Sequence, residues 1–341
     1  MPSMERESHR IVIAGASSLL GAELKSLLEE SKFASWDFRL LDEEDAAGTL
    51  TEAGGEATVI QPVEEGSFDK ARFVFFAGSP KFVERNFPAA LAAGAVVIEL
   101  TGKVWTKDSA PNPWFPKLDE FWGTQFTGTV VKNSHFWVPS AAAVAATSLS
   151  FGLRAVGLKR LSITFFRPVS EAGRAGIEEL ESQTARLLSF QSVGQPVFDI
   201  QVAFNLLERY GSASQQSLAV ARKALHEEVN KCVLNQGAVM PAIQVLQAPT
   251  FYGIVFSACA ELDPGVADTE SVRNACRGAG FSVAQDEDRA PSNVNAAGEN
   301  TIQLGVPQSD PCVYGTWWFW GAADNIRLPV WNAVKLAEKL A

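Results

Sequence analysis

Arg10-Ile-Val-Ile-Ala-Gly-Ala-Ser-Ser-Leu-Leu-Gly21 decides the fold. Its first five residues form a short apolar run of the kind that fills a buried parallel strand, and a periodic helix pattern follows through Glu30. Between them Gly15 and Gly21 frame a tight turn, so the segment reads strand, turn, helix. The pattern repeats downstream: Trp36 to Leu41 predicts a strand, Phe73 to Ala77 another, Pro80 to Ala93 a helix and Val96 to Leu100 a further strand. Alternating strands and helices predict an α/β fold with a Rossmann-type doubly wound parallel sheet.

Beyond about residue 150 the character changes. Arg160 to Pro168 and Ala248 to Glu261 read as longer, half-alternating strands, with helices over 174–189 and 219–235. Asn325 to Ala341 is an amphipathic helix that should pack back on the first domain, with apolar residues at Val330, Val334, Leu336, Ala337 and Leu340. The polar, turn-rich stretch 284–300 predicts a mobile surface loop. The chain of 341 residues is too long for one ordinary core. We therefore expect a Rossmann-type domain from 8–150 plus 322–341, with an inserted α+β domain over 151–321.

Composition excludes several classes of function. Hydrophobic residues at 47% and charged residues at 20% are globular values, and no apolar block is long enough for a membrane span. The N-terminus lacks the basic-then-apolar layout of a secretion signal, so the cytoplasm is the expected location. Cys232, Cys259, Cys276 and Cys312 have neither zinc-site spacing nor the density of a disulfide framework, and are read as reduced packing residues. A formal charge of −10, without a basic stripe, opposes a nucleic-acid partner.

The turn after the first strand suits a nucleotide pyrophosphate, because glycines admit close backbone approach and a helix N-terminus offers free N–H donors. Gly15, Ser17, Ser18, Gly21 and, at the end of the third strand, Gly78 are the candidate contacts. Ser18 stands where such turns commonly carry a middle glycine, and its side chain would crowd the phosphate. The glycines are equally explained by tight packing of the βα turn. The second strand ends in Asp42-Glu43-Glu44-Asp45, where Asp42 could accept a ribose hydroxyl and the acidic run would repel a 2′-phosphate. If a cofactor binds, NAD is favoured over NADP; a solvated acidic loop is the alternative.

Six segments then carry a specific resemblance: Gly15 to Gly21; Phe73-Val-Phe-Phe-Ala-Gly78 with Ala92-Ala-Gly-Ala-Val-Val-Ile98; Pro168-Val-Ser-Glu-Ala-Gly-Arg-Ala-Gly-Ile-Glu-Glu-Leu180; Ala203-Phe-Asn205; Phe251-Tyr-Gly253; and Ala323-Asp-Asn-Ile-Arg327. In this order they resemble the aspartate-semialdehyde dehydrogenase family over nearly the whole chain. The tail, Phe319 to Arg327 with Ala333 to Leu340, is especially similar to the Usg-type branch, which is regarded as lacking the catalytic thiol.

The resemblance implies a cysteine nucleophile in an Asn-Pro-Asn-Cys-Ser-Thr loop, and the matching stretch here is Val138-Pro-Ser-Ala-Ala-Ala143, with Ala141 at the nucleophile's place. Ser140 is a poor substitute without a paired base, and serine there commonly caps the helix. The family's histidine base follows Phe-Tyr-Gly, where this chain has Ile254, which cannot move a proton. Of the substrate-gripping arginines, one falls in Thr101-Gly-Lys-Val-Trp105, where Lys103 is the nearest cation, and the other aligns with Gln247. His135, beside Phe136 and Trp137, is read as a packed residue.

The favoured reading is a catalytically vacant homologue that forms a homodimer through the strands Leu161 to Pro168 and Phe251 to Glu261 and binds a partner or small ligand. A second reading is an NAD(P)-dependent oxidoreductase using Tyr252, Glu171 or His135. A third is an active dehydrogenase with a displaced thiol, Cys259 being the nearest in sequence to position 254. No metal site is expected.

Overall fold

The computed structural model describes residues 9–53, 56–102, 112–123, 134–286 and 290–341. The chain divides into two compact units, one made of 1–119, 124–139 and 329–341, the other of 120–123 and 140–328.

In the first unit, β1 (Arg10–Ala14), α1 (Leu19–Glu29), β2 (Asp37–Asp42), β3 (Leu50–Ala53), β4 (Glu56–Val59), β5 (Gln61–Pro62), β6 (Phe73–Phe76), α2 (Pro80–Ala92), β7 (Val96–Glu99), β8 (Asn112–Pro113) and β9 (His135–Trp137) follow one another, with α3 (Leu118–Trp122) before β9. The sheet order is β5-β2-β1-β6-β7-β9-β8, parallel throughout, and β3 and β4 form a separate antiparallel hairpin. Period-two alternation sends Ile11, Ile13, Phe73, Phe75, Val96 and Ile98 to one face, where they pack with Leu24 and Leu28 of α1. Val12, Ala14, Val74, Phe76 and Val97 face the other way, onto Phe82, Val83, Phe87 and Ala90 of α2. Both faces are covered, which is why residues 11–14, 73–76 and 96–98 are continuous apolar runs.

The second unit contains α4 (Ala141–Gly152), β10 (Arg160–Arg167), α5 (Gly173–Leu188), α6 (Leu218–Val233), β11 (Ala242–Gln247), β12 (Ile254–Glu261), α7 (Thr269–Gly278), β13 (Phe281–Val283), α8 (Asn293–Ala296), β14 (Ile302–Leu304), β15 (Gln308–Ser309) and β16 (Thr316–Ala323). Its mixed sheet runs β11-β10-β12-β16-β14-β13, with β15 on β16. The chain ends in α9 (Arg327–Leu340), whose Val330, Ala333, Val334, Leu336, Ala337 and Leu340 join the first unit's core beside Ile11 and Phe73.

The structure corrects two sequence expectations. The strand expected over Ala248 to Glu261 begins only at Ile254, because Pro249 has no N–H for a ladder and Gly253 has φ 80°, so the segment turns. That turn is fixed by the amides of Val169 and Ser170, which donate to the carbonyls of Thr250 and Phe251. Within the 284–300 stretch, described except for 287–289, α8 is capped by Ser292 and anchors buried Ala296 against Val255 and Ala322. Hydrogen bonds from Trp320 to Pro291 O, from Gln303 to Asn295 O and from Gly298 N to Asp324 hold the segment as well.

Candidate functional site

The βα turn of the first unit is built by close backbone approach. A Cβ at Gly15, which has φ 95°, would land in the backbone of Gly78, and one at Gly21 would meet the carbonyl of Gly15. Those glycines are thus required by packing whatever the turn binds. Ser18 caps α1: its Oγ accepts from Gly21 N at 2.9 Å and donates to Ala77 O at 2.8 Å. Its hydroxyl is thus committed to the strand end and to the N-terminus of α1. Asp42, buried at 6% exposure, accepts from Ser17 N at 2.7 Å and from Glu43 N at 2.8 Å. Each oxygen keeps a further lone pair for a ribose hydroxyl. Glu43 is paired with Arg85 at 2.8 Å. The acceptor geometry of Asp42 is compatible with the adenosine ribose of a dinucleotide.

In the second unit, Ser140 is the N-cap of α4, its Oγ accepting from Ala143 N, and Ala141 opens the helix at 2% exposure. The capping expected of Ser140 is present, together with a partner that sequence reasoning missed. Glu228 of α6 accepts from both Ser140 Oγ at 2.7 Å and Ser140 N at 3.0 Å. Burial pushes its carboxyl up to about 7; the Ser140 hydrogen bonds and Lys231 oppose that shift, and the Glu171 charge adds to it. A carboxyl group therefore lies at the helix N-terminus one residue before position 141. No local signal could reveal this, since 88 residues separate the partners.

Ile254 is buried at 5% exposure, at the start of β12. The residue before it, Gly253, donates its N–H to Asn325 Oδ1 at 2.9 Å, and Asn325 Nδ2 donates to Glu171 Oε1 and to Ser170 Oγ, both at 3.1 Å. Three of the six sequence segments singled out above meet at this asparagine. Glu171 in turn lies 3.8 Å from Arg167 Nε, whose side chain is 12% exposed. Gln247, fully buried, donates from Nε2 to the carbonyls of Arg167 and Ala248 at 2.9 and 2.7 Å and accepts from Tyr210 Oη at 2.6 Å. Its amide is consumed within the protein, contrary to the expectation that it faces a ligand. Tyr210, Arg167 and Glu228 are the polar groups of this region that the sequence did not single out.

Other candidates are dispersed. His135 is buried against Phe87, ring centroids 4.4 Å apart, and burial lowers it to about 4; it is a neutral packed imidazole. Tyr252 is exposed, with its hydroxyl in no described hydrogen bond. Burial and the Asp310 charge push the Cys259 thiol up, disfavouring a thiolate. Lys103 lies outside the described residues. Among the described residues, no group of acidic, histidine or cysteine side chains could hold a metal ion, and no helix is long and apolar enough to cross a membrane.

Comparison with known proteins places this geometry in a family. The model described as semialdehyde dehydrogenase, NAD binding domain, matches residues 10–120, and the model described as semialdehyde dehydrogenase, dimerisation domain, matches 152–328. A USG-1 protein homolog of Azotobacter vinelandii is 29% identical over 336 residues, covering 97% of each chain. Aspartate-semialdehyde dehydrogenase 2 of Vibrio cholerae is 25% identical over 98% of each. Among solved structures, that of "a probable aspartate-semialdehyde dehydrogenase" from Pseudomonas aeruginosa superposes with a TM-score of 0.83 at 25% identity, covering 97% of this chain and 98% of that one. Aspartate semialdehyde dehydrogenase II of Vibrio cholerae complexed with ASA gives 0.80, also at 25% identity, with 97% of each chain covered. With both domain models matched in order and Usg-type and dehydrogenase relatives matched end to end, this chain belongs to the semialdehyde dehydrogenase family, in its aspartate-semialdehyde dehydrogenase and Usg-like division.

Proposed function

We propose that this family member no longer oxidises aldehydes through a covalent intermediate and acts as a dimeric, ligand-binding homologue. The observation that carries the reading is the opening of α4. Its first residue is Ala141, and the adjacent hydroxyl, Ser140, is bonded to the Glu228 carboxyl. Acyl transfer needs a nucleophile there and a proton carrier opposite. Ala141 and Ile254 supply neither; burial pushes the Cys259 thiol up, away from the thiolate, and His135 is packed against Phe87. Ser140 does have the Glu228 carboxyl as a partner, but its Oγ also accepts from Ala143 N as the cap of α4, a structural use of the hydroxyl.

NAD, when bound, supplies a hydride acceptor. In this chain Asp42 would accept from the ribose and the N-terminus of α1 would face the pyrophosphate. The dimerisation-domain match supports a homodimer. Its natural surface is the sheet face carrying Thr164, Phe166, Trp318 and Trp320, the two tryptophans being 45% and 43% exposed. The acidic charge and the likeness to dehydrogenases support a cytoplasmic protein with no nucleic-acid or membrane partner.

The test is a reduction assay with aspartate semialdehyde, phosphate and either NAD or NADP. The reading predicts no absorbance gain above the no-enzyme control, even at high protein concentration. Turnover that survives repurification would contradict it.

A further inference from the structure

The family motif puts a substrate-gripping arginine at position 247, and here that residue is Gln247, uncharged and fully buried. Parallel pairing of β10 with β11 sets Arg167 directly opposite it. A chain of hydrogen bonds links the two side chains: Tyr210 Oη donates to Gln247 Oε1 at 2.6 Å and accepts from Arg167 Nη1 at 3.3 Å. Gln247 therefore orients Tyr210, and Tyr210 orients the guanidinium. Arg167 is otherwise bonded through Nη2 to the Glu171 carbonyl at 3.1 Å. Its ionic partner, Glu171 Oε2, stays 3.8 Å away, beyond hydrogen-bond length, while the other carboxylate oxygen accepts from Asn325. A guanidinium only 12% exposed and paired this loosely is under-compensated, and its planar fork matches a carboxylate. Through Glu171 and Asn325 it is connected to Gly253, next to Ile254.

We propose that Arg167 has taken over anion recognition from position 247, one strand across, and binds the carboxylate of a small carboxylic-acid ligand. This rests on the reading that the corner keeps ligand binding after losing its chemistry. Tyr210 and Gln247 are positioning residues: they aim the fork without touching the ligand.

Titration calorimetry with succinate, using neutral succinamide as the control, tests the assignment. Succinate should bind the wild type and succinamide should not; Arg167→Gln should weaken succinate at least tenfold, and Arg167→Lys less. The exchange Arg167→Gln with Gln247→Arg returns the charge to the neighbouring strand and should recover most of the loss. Absence of succinate binding to the wild type, or affinity unchanged in a folded Arg167→Gln protein, would overturn it. If Arg167→Gln does not fold, the Lys variant and the exchange decide the matter: equal succinate affinity in both and in the wild type refutes the role. Turnover of aspartate semialdehyde would instead remove the vacancy reading while leaving these affinities interpretable.

Discussion

Glu228 holds its carboxyl against the hydroxyl and amide of Ser140, at the N-terminus of a helix whose next residue is alanine. Its folded-state pKa is raised to about 7 from 4.5, so the folded protein binds this proton more tightly than the unfolded chain. The associated stability is complete below the unfolded value and is lost as pH rises through about 7. Melting measured from pH 5 to pH 8.5 should fall more steeply in the wild type than in Glu228→Gln, the gap reaching on the order of a few degrees. Parallel curves would place the titration elsewhere. At this scale the sequence was partly readable. Ala141 and Ile254 stand at motif positions that can be counted along the chain, whereas Glu228, Arg167 and Tyr210 reach the region from separate elements. Gln247 shows the limit: its alignment is legible, but the hydrogen bonds that consume its amide come from Tyr210 and Arg167, distant in sequence.

Among elements, the turn joining β1 to α1 combines two separable contributions. Ser18→Ala removes the cap of α1 and should cost about 1 kcal/mol in denaturant unfolding, with no change in fold. Gly15→Ala forces a Cβ into the Gly78 backbone at φ 95° and should cost more than about 2 kcal/mol, or prevent soluble expression. Equal effects from both would mean that the approach of β1 to β6 is not the constraint described. The central strands β1, β6 and β7 were legible because burial on both faces gives them continuous apolar runs. The start of β12 was set too early, at Ala248, because apolar Phe251 and Tyr252 continue the strand pattern while Pro249 and Gly253 interrupt it, and β11 was not read as a strand. The β3–β4 hairpin carries no apolar run and gave no signal.

For the whole molecule, the second sheet keeps Trp318 and Trp320 exposed on the face that α8 meets at Val255 and Ala322. There the indole N–H of Trp318 is satisfied by Asp310 Oδ2 and that of Trp320 by Pro291 O, both within the protein, so the ring faces are left for apolar contact. Sedimentation velocity should find a dimer, and Trp320→Glu should shift it to monomer at micromolar concentration. A wild-type monomer would remove the dimeric reading. The presence of a parallel sheet and a second, different sheet was available from the switch between apolar strands and half-alternating ones. What the turn binds was not, since the same glycines serve packing and phosphate. Titration with NAD and NADP, read by tryptophan fluorescence, should respond to NAD in preference.

The claim on which the account turns is that no side chain of this protein forms a bond to an aldehyde substrate. Intact-mass spectrometry after incubation with aspartate semialdehyde and NAD or NADP, in the absence of phosphate, tests it directly, because a competent enzyme would trap its acyl intermediate there. The account predicts the unmodified mass alone. An acylated species, mapped by digestion to any residue around α4 or β12, would contradict it.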